Sequence, residues 1–65
     1  MWVEFMSVPN AYVAGTWREL FAGEGLSVRV IPPIGTGETA PKSEPRTLYV
    51  PTGKAHVARE ILRKI

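Results

Sequence analysis

The chain has no cysteine, no aspartate and a single histidine among its 65 residues. Without cysteine it has neither a disulfide framework nor a thiolate metal site, which fits a cytoplasmic protein better than a small secreted one. Without aspartate, acid–base chemistry would rest on Glu4, Glu19, Glu24, Glu38, Glu44 and Glu60. These fall in different segments, and nothing in their spacing forces two carboxylates together. Charge of one sign is also scarce: eight Lys and Arg against six Glu leave +2. Only Arg63 and Lys64 are adjacent, at a helix end where cations are favoured, so no nucleic-acid footprint emerges. No apolar run approaches the roughly 18 residues of a membrane span, and Met1-Trp2-Val3-Glu4 lacks the basic start of an export signal. The expectation is an unexported cytoplasmic protein without membrane contact, residues 1–65 forming one domain. A domain of this size buries only about 60% of the surface its unfolded chain exposes, so its stability is modest.

What is present is a repeat. Val8-Pro9-Asn10 and Val50-Pro51-Thr52 stand 42 positions apart. In each, an apolar run meets a proline, which drives the residue before it into extended geometry, and a small polar residue follows at a helix N-cap position. A strand-to-helix unit is written twice. Trp2 to Met6 is the first strand, with Val3 and Phe5 on one face and Trp2, Glu4 and Met6 on the other. From Ala11 the period changes to that of a helix, Val13, Trp17, Leu20 and Phe21 forming its apolar stripe. Gly15 and Gly23 weaken this helix, which ends near Glu24. Gly25 suits the left-handed position after the helix, with Leu26 folding back onto Phe21 in a Schellman ending.

Leu26 to Ile31 reads as the second strand, with Leu26, Val28 and Val30 inward and Ser27, Arg29 and Ile31 outward. It stops at Pro32-Pro33. Residues 32–45 are rich in Gly, Pro, Thr and Ser and read as a long mobile loop. Arg46 to Val50 is the third strand, Leu48 and Val50 inward. The second helix runs from about Lys54, with Val57, Ala58, Ile61, Leu62 and Ile65 as its stripe. The order is β-α-β-β-α, an α+β fold of ferredoxin-like plan without its fourth strand. The expected sheet is antiparallel and three-stranded in the order 1-3-2, with both helices on one face. The expected core is Trp17, Leu20, Phe21, Val28, Leu48, Val57, Ile61 and Leu62.

With these elements placed, the chain resembles the small bacterial family of prokaryotic signal-transducing proteins, a family of unknown function similar to the PII signal proteins. The resemblance runs over nearly the whole chain. It rests on Trp2-Val3 and the Ala-rich first helix, on Leu20-Phe21 followed by Gly25-Leu26-Ser27-Val28, and on Leu48-Tyr49-Val50-Pro51 leading to Ala55, Ala58 and Ile61-Leu62. It implies a ferredoxin-like fold and a role in signal transduction. The chain departs from PII proteins in lacking the fourth strand and in its much shorter 32–45 loop, so neither ATP nor 2-oxoglutarate binding is implied, and no cofactor is expected.

Each chemical motif has a plainer reading beside it. Gly35, Thr36 and Gly37 followed by Lys42-Ser43 resemble a phosphate-binding loop. Pro41, however, stands where the glycine before the lysine belongs, and no helix follows to aim its dipole at an anion. His56 and Glu60 stand one helical turn apart, but two ligands without a third do not make a metal site. Ser7, Ser27 and Ser43 have no nucleophile motif around them. Trp2, Tyr49, Arg29 and Arg46 on an open sheet resemble the stacking platform of RNA-recognition domains. The glycine-aromatic signature of such domains is absent from Arg46 to Val50.

The expected function is therefore a non-catalytic regulatory or protein-interaction module. The alternatives are a small-ligand or nucleotide sensor using the 32–45 loop, with Gly35, Thr36, Gly37 and Lys42 as contacts, and a nucleic-acid binder using the sheet. The face opposite the helices would carry Trp2, Met6, Arg29, Ile31 and Tyr49 as a partner interface. A first strand without a neighbour on its outer edge adds a reason for pairing with a second copy. A homodimer centred on Trp2 to Met6 and Tyr49 is the expected assembly, and another protein, yet unidentified, is the expected further partner.

Overall fold

A computed structural model of the protein describes residues 1–32 and 41–65. The elements follow the expected order: β1 (Trp2–Val8), α1 (Ala11–Gly23), β2 (Arg29–Ile31), β3 (Arg46–Pro51) and α2 (Ala55–Arg63), with a 3-10 turn, Thr52–Lys54, before the last helix. The sheet is antiparallel throughout, in the order β1-β3-β2. Both helices lie on one of its faces, because Ala14 and Phe21 of α1 and Ala58 and Ile61 of α2 pack against Leu48 and Val50, which share one side of β3.

Local sequence accounts for α1 at both ends. Asn10 has an extended backbone, and its Oδ1 accepts a 2.9 Å hydrogen bond from the Val13 amide, one of the orphan donors of a helix start. At the other end Gly25 takes φ +84°. The Leu26 amide donates to the Phe21 carbonyl at 2.9 Å and the Gly25 amide to that of Ala22 at 3.0 Å, the two bonds of a Schellman ending. Leu26 is thereby delivered into the core beside Phe21.

The core has two buried clusters. Phe21, Leu26, Val50, Ala58 and Ile61 form one, and Val8, Ala14 and Leu48 the other. Trp17 and Val28 pack against both and join them. Phe21 meets Phe5 edge-on at 6.0 Å and stacks on Trp17 at 5.9 Å, both separations within the range where aromatic pairs attract. Of the expected core, Phe21, Leu48 and Ile61 are buried, whereas Trp17, Leu20, Val28, Val57 and Leu62 are half-buried at its margin.

Three expectations about the strands are corrected. β1 extends to Val8 and carries a bulge: Glu4 pairs with Tyr49 and Met6 with Leu48, so Phe5 is the extra residue. A bulge reverses the alternation beyond it. Phe5 and Met6 therefore both turn to the helix side, and Met6 packs against the Val8, Ala14 and Leu48 cluster instead of standing on the open face. The second strand is shorter than expected, three paired residues rather than six, although Leu26 still points into the core. Arg46, paired with Val8, shares the inward side of β3 with Leu48 and Val50 and is only 8% exposed.

Candidate functional site

The sheet face without helices is built by simple alternation. Tyr49 lies between Glu4 of β1 and Arg29 of β2, and Thr47 lies between Ser7 and Ile31. Trp2 sits opposite Pro51 at the end of the same face. Trp2 and Ile31 are 37% and 38% exposed, and Tyr49 is half-buried between the flanking strands. The Arg29 guanidinium lies over the Trp2 ring, 4.8 Å from its centroid, so the two edge strands touch through their side chains across β3. A cation over an indole face is attracted by the ring's quadrupole, and the pair gives the face a fixed apolar plate with one positive charge on it.

Of the five residues expected on this face, Trp2, Arg29, Ile31 and Tyr49 are brought together and Met6 is not. Arg46, the second arginine of the stacking-platform comparison, is also elsewhere. Its guanidinium donates to the carbonyls of Pro41 at 2.9 Å, Glu44 at 2.7 Å and Pro45 at 3.2 Å. It is the hub of a turn, closed further by the Glu44 amide on the Pro41 carbonyl at 3.1 Å. The sequence carries the sign of this in its period: Arg46, Leu48 and Val50 share one parity, so a strand with Leu48 and Val50 inward must turn Arg46 inward too.

The loop candidates divide. Gly35, Thr36 and Gly37 lie outside the described residues. Lys42 is exposed, its carbonyl accepts from the Ala11 amide at 2.9 Å, and its ammonium stands 5.8 Å from the centre of the Tyr12 ring. Residues 41–45 are thus hydrogen-bonded to the start of α1 and to Arg46. On α2, Glu60 faces Arg63 at 3.5 Å on an exposed surface, a pair of little energetic weight. Among the described residues no three His, Cys, Asp or Glu side chains converge on a point where a metal could sit.

One feature was not legible from periodicity. Between α1 and the outer edge of β2 lie two adjoining hollows of about 330 and 340 Å³, both lined by Arg18 and Val28. Arg18 reads on sequence as the solvated side of α1. Its position over a strand edge depends on how the helix crosses the sheet, which no local pattern encodes. No helix among the described residues is long and apolar enough to cross a membrane. No family model matches the chain, and no curated protein or solved structure is significantly similar to it.

Proposed function

We propose that this chain is a non-catalytic interaction module, regulatory in role and cytoplasmic, in which two copies meet through the open sheet face. The observation that carries the reading is the exposure of Trp2 and Ile31 beside Tyr49 on a face that no helix among the described residues covers. Apolar side chains grouped in this way mark a surface that is covered by a partner. The dimer so proposed is face to face. The bulge at Phe5 interrupts the outer ladder of β1, and a bulged edge is a poor template for continuous pairing. Kinship with the signal-transducing family belongs to the same proposal and rests on the resemblance of sequence alone.

Sedimentation equilibrium tests the dimer. The natural chain is expected to be dimeric at high micromolar concentration, and Tyr49→Lys monomeric with an unchanged circular dichroism spectrum. Trp2→Glu serves as a second variant at the exposed rim should the lysine disturb the sheet. A natural chain that stays monomeric at that concentration overturns the reading.

A further inference from the structure

The outer edge of β2 differs from that of β1 in being regular and flanked by a groove. β2 has β3 as its strand neighbour on one side, and alternate residues of such an edge turn their N–H and C=O groups outward. Along this edge run the two hollows, which share Arg18 and Val28 and extend from Leu26 at one end to Ile31 at the other. Their lining is mixed, Ala22, Val28 and Val30 supplying apolar surface beside Arg18 and Ser27. Arg18 overhangs them from α1, exposed, and has no ion pair or hydrogen bond among the described residues. Arg29 borders the second hollow.

We propose that this groove binds an extended acidic segment of another protein, which adds to the sheet as a strand beside β2. The backbone of the incoming segment meets the outward N–H and C=O groups of residues 28–31. Its alternate side chains fall on two sides. Those on the helix side lie over Val28 and Val30 beneath Arg18, where a carboxylate is favoured; those on the open side lie beside Ile31, where an apolar residue is favoured. Charge also decides against a second copy of this chain as the occupant. Two such edges pressed together would place a second Arg18 over the same groove, like charge against like, while each Arg29 guanidinium stays over Trp2 on the open face. The proposal rests on the reading of the chain as an interaction module, though not on its dimer.

The test uses the full isotope-labelled chain and two blocked hexapeptides, one alternating glutamate with valine and the other lysine with valine. The glutamate peptide is expected to shift the amide resonances of Ala22 and of residues 26–31, and to slow amide exchange within residues 28–31. Arg18→Glu is expected to weaken it about tenfold and to improve binding of the lysine peptide, an exchange of preference that a purely structural role for Arg18 would not produce. Equal binding of the two peptides overturns the proposal. So do shifts confined to Trp2 and Tyr49, or failure of the glutamate peptide to bind at millimolar concentration. Repeating the titration on Tyr49→Lys separates the two readings: if that variant is monomeric and still binds the glutamate peptide at residues 26–31, the groove acts independently of the open face. A natural chain found monomeric throughout removes the dimer and leaves the peptide result to decide the groove.

Discussion

The two strand-to-helix units share a motif and resolve it differently. After Val8-Pro9, Asn10 caps α1 through its side chain, and a helix of 13 residues follows at once. After Val50-Pro51, Thr52 makes no cap. Its amide and hydroxyl both donate to the carbonyl of Met1, at 2.8 and 3.1 Å, and the chain makes a 3-10 turn before a helix of nine residues begins at Ala55 with no side-chain cap. The difference teaches that a polar residue at a cap position is used according to the backbone groups within its reach. Asn10 competes only with its own neighbours. Thr52 stands beside the start of β1, whose carbonyl claims it. The second unit is held by its strand and the first by its helix.

The strongest way to break this comparison is through the core that the units share. Phe21 is fully buried, touches Phe5 and Trp17, and receives Leu26 from the Schellman turn. Phe21→Ala is expected to cost about 3–5 kcal/mol, which unfolds a domain whose total stability is of the order of 5 kcal/mol. Leu62 of α2, half-buried, should cost only about 1–2 kcal/mol on the same truncation. Urea unfolding of both variants measures the gap. Equal losses would mean that the two helices contribute equally and that the first has no privileged place in the core.

The same contrast explains how much of the molecule could be read from its sequence. Element order, the two helical periods and the Schellman ending of α1 were legible because each is written within a few neighbouring residues, and sheet order followed from the handedness of the connections. Ile65, expected in the stripe of α2, is instead 68% exposed, because that helix ends at Arg63. Thr52 was misread because its partner is 51 positions away. Met6 was misread because a bulge is decided by the pairing of two strands, although the adjacent apolar pair Phe5-Met6 already breaks the alternation. On the candidate face, alternation placed Trp2, Arg29, Ile31 and Tyr49 correctly, since each lies where no irregularity intervenes. The groove under Arg18 was not legible, because it joins a helix side chain to the edge of a strand that follows it.

A smaller and sharper test lies at the caps themselves. Asn10→Ala removes an acceptor from a part-buried helix start and is expected to cost about 1 kcal/mol. Thr52→Ala removes an exposed hydroxyl bond and leaves the 2.8 Å amide bond to Met1 in place, so a loss below about 0.5 kcal/mol is expected. Amide exchange at Val13 should accelerate in the first variant, while exchange at the start of α2 should not change in the second. If Thr52→Ala proved as costly as Asn10→Ala, the second motif would be acting as a cap after all.

The least change concerns what each helix carries inside it. α2 has no glycine between Ala55 and Arg63, whereas α1 has Gly15 in its middle. A Cβ built at Gly15 meets nothing within 4 Å, and no left-handed backbone is needed there, so nothing in the packing calls for glycine. Alanine would lower the backbone entropy of the unfolded chain without a clash, and Gly15→Ala is expected to add about 0.5–1 kcal/mol, a rise of a few degrees in Tm. Gly25 is the internal control. It also has open space around it, but its φ of +84° makes any Cβ strained, so Gly25→Ala should shift Tm downward by a similar amount. Opposite signs at the two positions would show that α1 is limited by its own backbone, and its packing on the sheet then accounts for its persistence. A fall in Tm at Gly15 would instead mean that the first helix, like the second, is constrained from outside by a neighbour.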